Sequence, residues 1–175
     1  MGIIKFTRVR DVKLPIRGHK TDAGIDFFVP TFTDEFIDDL LLKNPSMPRI
    51  RIQKDNEGKT FVLLAPHERI NIPSGIHCLM EDSGRALIAN NKSGVASKFG
   101  LIFGASVVDY EYQGEIHINV INTSDDIVHV YEGMKIIQFI ETPIYTSEIE
   151  EVSTLEDLYE SESKRGAGGF GSTGI

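Results

Sequence analysis

The sequence has a single cysteine, Cys78, and no tryptophan among its 175 residues. One cysteine excludes an internal disulfide and any metal site built from several cysteines, so we expect a reducing compartment. The N-terminal segment MGIIKFTRVRDVKL lacks an apolar run long enough for a signal peptide or a membrane span. These absences predict a cytoplasmic protein that does not enter membranes.

Clustered basic residues are also scarce. The chain has 18 Lys and Arg against 26 Asp and Glu, which gives a net charge of -8. Phosphate backbones are held by grouped Lys and Arg side chains, so general nucleic-acid binding is excluded. The five histidines show no metal-ligand spacing and no Gly-x-Ser-x-Gly motif is present, which excludes zinc and serine-hydrolase chemistry.

Short apolar runs separated by Gly, Asn, Asp and Pro make up most of the chain, which is typical of an all-β protein. In GEIHINVIN, apolar Ile116, Ile118 and Val120 alternate with polar His117 and Asn119, the pattern of a strand with one buried face. Further strands are predicted at Ile3 to Phe6, Gly24 to Phe28, Phe61 to Leu64, Ile76 to Met80, Ala86 to Ala89 and Lys135 to Ile140.

Residues 31–60 break this pattern and read as an insertion that carries a helix and a hairpin. The helix is predicted from Asp34 to Lys43, with Thr33 as its N-cap and one apolar face; that face consists of Phe36, Ile37, Leu40 and Leu41. Asp55 to Gly58 is typical of a hairpin turn. We expect the insertion to be peripheral, with its helix either covering the chain's own β body or binding a protein partner.

Three regions follow from the composition: a β domain over 1–146, an acidic connector over 147–163, and a glycine-rich arm over 164–175, KRGAGGFGSTGI. The connector has seven acids and no base, so it should be solvated or mobile. The arm is not a Walker loop, because Ser172 follows Gly171 where that loop needs lysine. It is either a flexible end or a backbone that approaches a phosphate, with Arg165 contributing a charged contact.

Three polar stretches could carry chemistry, each with a plainer structural alternative. Lys92, Ser93 and Gly94 form either a small anion site or a polar turn. Asp109 follows an apolar strand and is either a base or a turn-former. Asp22 and Asp26, in TDAGIDFFVP, either face the water shell of a metal or cap a turn.

Five stretches of the sequence resemble, in order, the five motifs of the homotrimeric dUTP pyrophosphatase (dUTPase) family. They are DAGIDF, KSGVASKFG, GASVVDYEYQGEI, GMKIIQFI and RGAGGFGSTG. The resemblance runs from about Lys20 to Gly174, interrupted by the insertion. It implies a distorted jelly-roll-like β-barrel, a homotrimer whose active sites are shared between chains, and a flexible C-terminal arm that closes over the nucleotide.

The resemblance also implies an activity, the hydrolysis of dUTP to dUMP and pyrophosphate, which keeps uracil out of DNA and supplies dUMP for dTMP synthesis. Asp109 aligns with the general base, and Asp26 with an acid that touches Mg²⁺ through water while the triphosphate holds the ion. The implied substrate-binding residues are Lys92, Ser93, Gly94, Gly104, Val107, Val108, Tyr112, Gly114, Ile116, His117, Gln138, Arg165, Phe170, Gly171, Ser172 and Thr173.

The chain departs from the family pattern at two places: Lys92 replaces the usual Arg of the second motif, and GMK replaces Gly-Asp-Arg in the fourth. Lysine cannot grip phosphate bidentately, so affinity or turnover should differ from relatives.

One alternative is a dCTP deaminase-like enzyme, although that group uses Glu as its base and lacks the Asp-x-x-Tyr pattern. Another is a nucleotide-sensing, partner-binding trimer that uses the insertion.

Overall fold

The computed structural model describes residues 2–47, 50–164 and 166–168. The chain forms two compact units that divide between Tyr145 and Thr146. The first unit contains the strands and two helices, which are β1 (Ile4–Arg8), β2 (Gly24–Phe27), α1 (Asp34–Leu42), β3 (Arg51–Lys54), β4 (Thr60–Leu64), β5 (Arg69–Pro73), β6 (Ile76–Met80), β7 (Arg85–Asn91), α2 (Ser93–Phe99), β8 (Leu101–Phe103), β9 (Val107–Val108), β10 (His117–Asn122), β11 (Val128–Tyr131) and β12 (Ile137–Pro143).

The strands form four antiparallel sheets, in the orders β2-β12-β7-β9, β5-β10-β8, β11-β4-β3 and β1-β6. The prediction of a mostly β protein is confirmed. Across the described residues, strand pairing does not join these sheets into a closed barrel. The jelly-roll barrel therefore stays a prediction.

The apolar faces of the sheets share one core. Ile118 and Val120 of β10 are fully buried, while His117 at the start of the strand is half-buried, as the alternation predicted. Phe27 of β2 and Phe139 of β12 pack with ring centroids 4.6 Å apart. Burial of such side chains stabilises the fold by about 2 kcal/mol each.

Helix α1 is part of this core. Thr33 Oγ1 accepts a hydrogen bond from the Phe36 amide at 3.2 Å, which confirms the predicted N-cap. Phe36 and Leu40 are 2% and 0% exposed, and the Asn44 side chain beyond the helix donates to the Leu40 carbonyl. Of the two alternatives for the helix, packing on the β body of its own chain is confirmed, because Phe36 and Leu40 complete the shared core.

Replacing Leu40 by alanine should lower the free energy of unfolding by about 3 kcal/mol, because it leaves a cavity in a closely packed core. Leu42→Ala is the matched control, since Leu42 is 74% exposed and its loss should change stability by less than about 0.5 kcal/mol. Urea unfolding of both variants measures the difference. Equal effects would show that α1 does not belong to the core.

Other local predictions met mixed outcomes. The hairpin is confirmed: β3 pairs with β4, and the Asp55 side chain accepts from the Glu57 and Lys59 amides at 2.9 Å. The KSGVASKFG stretch was predicted as an anion site or turn, but it forms α2, which ends at Gly100 in the left-handed conformation with φ of 64°. The apolar strand expected before Asp109 is β9, whereas β5, β8 and β11 were not predicted.

The second unit is exposed along most of its described length. It holds one short helix, α3 (Leu155–Leu158), whose N-cap Thr154 accepts from the Asp157 amide at 3.1 Å. Among the described residues, no helix is long and apolar enough to cross a membrane.

Candidate active site

Strand β12 brings the polar residues of three motifs together. It lies between β2 and β7, so that Gln138 is opposite both Asp26 and Asn90. Gln138 Nε2 donates to the Asn91 carbonyl at 2.8 Å. A Cβ at Gly24 would lie 1.9 Å from Gln138 Oε1, so glycine is needed there for this side chain to fit.

Asp26 lies between two lysines. Its carboxylate is 7% exposed and pairs with Lys92 Nζ through one oxygen and with Lys135 Nζ through the other, the latter at 3.1 Å. Both lysines occupy positions where the sequence departs from the family pattern. Two ammonium groups around one carboxylate leave a net positive charge, which favours an anion at this place.

Lys92 is also the N-cap residue of α2, and Ser93 and Gly94 form the first turn of that helix. Both are exposed, and a Cβ built at Gly94 would meet no atom within 4 Å. The structure thus groups six residues, which we call the cationic cluster: Asp26, Lys92, Ser93, Gly94, Lys135 and Gln138.

The remaining predicted residues of the folded unit lie in or near the segment 109–117. This segment connects β9 to β10, which pair with other strands and not with each other, and we call it the nucleotide hairpin. Asp109 is exposed and begins a turn in which its carbonyl accepts from the Tyr112 amide at 3.2 Å. The Tyr112 hydroxyl donates to the Glu115 carbonyl at 3.0 Å. A Cβ at Gly114 would lie 2.4 Å from that hydroxyl, so glycine allows the ring to fold back across the turn.

Ile116 and His117 are less open than the resemblance implies. Ile116 is 1% exposed, its amide donates to the Ile76 carbonyl at 2.8 Å, and its own carbonyl accepts from the Ser74 amide at 3.0 Å. Only the second lone pair of that carbonyl is available to a ligand. His117 Nδ1 lies 2.9 Å from the Glu115 carbonyl, and its buried Nε2 has no hydrogen-bond partner within the described part of the chain.

The predicted residues that precede the nucleotide hairpin differ in their exposure to a ligand. Val107 is 60% exposed, whereas Val108 is 8% exposed and lies opposite Leu87 of β7. The Gly104 amide donates to the Asn119 carbonyl at 3.0 Å. Within this strand, Val107 is therefore open to a ligand and Val108 supports it from the core.

Glu115 is an important residue that the sequence reasoning missed. Its carboxylate accepts two hydrogen bonds from the Arg10 guanidinium, at 2.8 and 2.9 Å, and one from the Gly75 amide at 2.6 Å. Burial alone would raise the pKa of Glu115, but these donors outweigh it and hold the pKa below its usual value. For the neighbouring His117, burial lowers the pKa and favours the neutral ring.

The depressed pKa of Glu115 predicts a pH-dependent contribution to stability. A carboxyl group with a lower pKa in the folded state stabilises the fold above its unfolded pKa, here near 4.5, and loses that contribution as pH falls through the folded value. Glu115→Gln should therefore lower the free energy of unfolding by about 2 kcal/mol at pH 6. The difference from the unsubstituted protein should shrink below about pH 4.

Urea unfolding at about pH 6 and about pH 3.5 measures this effect. The exposed residue Glu111 supplies the control, since Glu111→Gln removes a carboxylate of the same hairpin without these donors. A Glu115→Gln effect that is as large at the lower pH as at the higher one would contradict a role for the ionised carboxylate.

The cationic cluster and Asp109 lie towards different ends of β7. Lys92 follows Asn91 at one end, while Val108 pairs with Leu87, four residues back along the strand. This spacing corresponds to about 13 Å at ~3.3 Å per residue, and the antiparallel direction carries Asp109 further away. The predicted arm residues Arg165, Phe170, Gly171, Ser172 and Thr173 lie outside the described residues.

These features define a mostly β protein with an exposed carboxylate in a turn shortly before Gly114 and a separate group of cations suited to phosphate. The dUTPase family model matches residues 59–174. The deoxyuridine 5'-triphosphate nucleotidohydrolase of Desulfitobacterium hafniense (strain DSM 10664 / DCB-2) is 34% identical over 114 residues, which are 64% of this chain and 72% of that protein. The chain belongs to the dUTPase family.

Two solved structures share the fold. The dUTPase of Staphylococcus bacteriophage 80alpha with dUPNHPP is 23% identical with a TM-score of 0.73, and 99% of each chain is covered. A mutant dUTPase from phage phi11 of S. aureus, whose structure concerns the coordination of a structural Mg(II) ion, is 23% identical with a TM-score of 0.63. That similarity covers 88% of this chain and 99% of the phage protein.

Proposed function

We propose that this chain is a dUTP diphosphatase that hydrolyses dUTP to dUMP and pyrophosphate in the cytoplasm, or in the host cytoplasm if a virus encodes it. The observation that carries this proposal is the nucleotide hairpin, in which Asp109 is exposed and the Tyr112 ring is folded across Gly114. Family membership supplies the reaction, and the hairpin supplies the residues that perform it.

In the proposed mechanism Asp109 is the general base. Its exposed carboxylate accepts a proton from a water molecule, which attacks the α-phosphorus in line with the departing pyrophosphate. The turn closed by the Tyr112 amide and the Asp109 carbonyl holds the backbone of the base. Orientation of the water by this carboxylate removes much of the entropic cost of the step.

The hairpin also selects the nucleoside. The Tyr112 ring would pack under the deoxyribose and leave no room for a 2′-hydroxyl, and its hydroxyl is already fixed on Glu115. Main-chain groups between Gly114 and His117 would pair with uracil. Cytosine reverses two donor and acceptor positions, so unpaired groups would cost about 1 to 3 kcal/mol each.

The cationic cluster is the proposed phosphate site. Lys92 and Lys135 supply charge, and Ser93, Gly94 and Gln138 supply polar groups beside them. Lysine acts as a compact point charge, so the grip on each phosphate is weaker than that of the arginines usual in the family. In the same proposal Arg165 clamps the γ-phosphate, Phe170 stacks on uracil, and Gly171, Ser172 and Thr173 close on the phosphates.

The residues present fit Mg²⁺ carried by the triphosphate. Both Asp26 oxygens are engaged by lysines, but each keeps a lone pair that can accept from a metal-bound water. Among the described residues, no three His, Cys, Asp or Glu side chains form a metal-binding group. When bound, the ion would neutralise charge on the phosphate oxygens.

We also propose that the chain assembles as a homotrimer of jelly-roll barrels with shared active sites. Within one protomer the Lys92 end of β7 and the Asp109 end of β9 diverge, so a second protomer would have to bring its cationic cluster to the hairpin of the first. The connector over 147–163 is long enough to carry the arm across an interface.

Pyrophosphate release from dUTP, dCTP, dTTP and UTP, each with and without Mg²⁺, tests the proposed function. We expect Mg²⁺-dependent release from dUTP and little from the other three. Ammonia released from dCTP would instead establish the deaminase alternative. Equal turnover of UTP and dUTP would contradict the role of Tyr112.

The partner-binding alternative has one feature in its favour. Leu41 and Leu42 of α1 are 47% and 74% exposed, so a partner would have to use these side chains, since Phe36 and Leu40 are committed to the core. Replacing Leu41 and Leu42 by serine should leave dUTP hydrolysis unchanged. If it also abolished binding of a protein partner, the recruitment role would stand beside the enzymatic one.

A further inference from the structure

Arg10, which lies outside the five motifs, connects the inserted helix to the nucleotide hairpin. Its guanidinium binds both oxygens of Glu115 and also pairs with the Asp39 carboxylate of α1. The same group lies over the Phe36 ring, 5.8 Å from its centroid. The Arg10, Glu115 and Asp39 side chains are only 17%, 13% and 23% exposed, so solvent screens these contacts weakly.

Glu115 links Arg10 to the side chains of the nucleotide hairpin. Its carboxylate also accepts from the Gly75 amide at 2.6 Å, which fixes it from the other side. Its backbone carbonyl accepts the Tyr112 hydroxyl and lies 2.9 Å from His117 Nδ1. One residue therefore carries both the ion pair with Arg10 and the contacts that orient the two side chains beside it.

We propose that Arg10 is a positioning residue that joins α1 to the nucleotide hairpin through Asp39 and Glu115, and thereby sets the affinity for the nucleotide. The proposal rests on the proposed function only for its kinetic consequence. It gives the insertion a role inside the enzyme: α1 both completes the core and supplies one carboxylate to the group that holds the hairpin.

The chemistry of the three groups favours this role over that of an ordinary surface ion pair. A planar guanidinium satisfies two carboxylates at once, with a bidentate contact to one of them. Removing it would leave Glu115 and Asp39 as two partly buried like charges, which would repel each other and loosen the segment between them. Lysine could pair with one carboxylate only, so it would restore part of the effect.

The test uses Arg10→Gln and Asp39→Asn in the full chain, with matched controls at exposed neighbours, Arg8→Gln on β1 and Asp38→Asn on α1. The first measurement is amide hydrogen exchange over 114–117 without nucleotide. Arg10→Gln should accelerate exchange there by about tenfold, since a charged hydrogen bond that holds the segment is lost. Neither control should change it.

The second measurement is steady-state kinetics with dUTP. Arg10→Gln should raise KM by about tenfold and Asp39→Asn by about threefold, with kcat within about twofold, because the lost interaction positions a binding surface and does not touch the reacting atoms. Loss of global stability alone would lower the concentration of active enzyme, and with it the apparent kcat, without raising KM. Should Arg10→Gln fail to fold, Arg10→Lys should show an intermediate rise in KM.

The double variant Arg10→Gln with Asp39→Asn decides whether α1 acts through Arg10. Once Arg10 is gone, Asp39→Asn should not raise KM further and should restore part of the lost affinity, because it removes one of the two carboxylates that then repel each other. Fully additive effects, or hydrogen exchange and KM in Arg10→Gln equal to those of the Arg8→Gln control, would overturn the proposal. A protein that does not hydrolyse dUTP at all would overturn the proposed function instead, and the hydrogen exchange would still decide the coupling.

Discussion

Asp109→Asn is expected to lower kcat for dUTP by about a thousandfold, within the range that a general base contributes, while the affinity for dUTP stays within about threefold. Asparagine has nearly the same shape and keeps the turn closed by the Tyr112 amide, but its amide cannot take a proton from water. Single-turnover hydrolysis measures the rate, and calorimetry with dUTP in the absence of turnover measures binding.

The control is Glu111→Gln, since Glu111 is an exposed acid two residues further along the same hairpin. This substitution should change kcat by less than about twofold, because Glu111 has no role in the proposed reaction. An Asp109→Asn protein that turns over at the original rate would show that another group is the base. Loss of binding together with rate would show that Asp109 holds the nucleotide rather than the water.

Removal of residues 165–175 is expected to lower kcat/KM for dUTP by about a hundredfold or more, because a closing segment excludes water and adds charged contacts to the phosphates. The fold should persist, since every buried apolar core residue of the described chain lies between Val12 and Phe139. Pyrophosphate release measures the first effect and thermal unfolding the second.

Arg165→Gln in the full-length chain separates charge from length in this experiment. If Arg165 accounts for most of the catalytic effect of arm closure, the single substitution should reproduce a large part of the loss in kcat/KM, as removal of an arginine from a phosphoryl-transfer site does. Unchanged kcat/KM in the truncated protein would remove the arm from the mechanism. An unfolded truncated protein would show that the arm has a structural role.

The sequence predicted the parts of this fold that local patterns determine. Alternation located β10, and the Thr33 cap with its apolar face located α1 to within one residue of its end. The hairpin turn from Asp55 to Gly58 was recognised because aspartate and glycine at those positions fit few other conformations.

The parts that were missed depend on contacts distant in sequence. Strand β8 has three residues, and its strand partners are Val120, Ile121 and Asn122 of β10. The sequence predicts no helix at α2, since serine and glycine at its start are weak helix formers and only Val95 of its residues is buried. For α1 the sequence left two alternatives, the β body of its own chain or a protein partner, because an apolar face does not show which surface covers it.

The residues of the candidate site likewise fall into those that the sequence motifs identified and those that depend on contacts distant in sequence. Motif order pointed to Asp26, Lys92, Gln138 and Asp109. The structure pairs Lys92 with the buried carboxylate of Asp26 and places Gln138 opposite Asp26 on the neighbouring strand. Motif order could not point to Arg10 or Glu115, which meet across 105 residues of sequence. Nor did it show that Ile116 has its backbone groups engaged, since that depends on the neighbouring Ser74 and Ile76.

The most direct test of the proposed reaction is hydrolysis of dUTP in ¹⁸O-labelled water, followed by mass spectrometry of both products. Attack on the α-phosphorus by a water molecule that Asp109 orients predicts one ¹⁸O atom in dUMP and none in pyrophosphate. Label in pyrophosphate with unlabelled dUMP would place the attack on the β-phosphorus and contradict the mechanism.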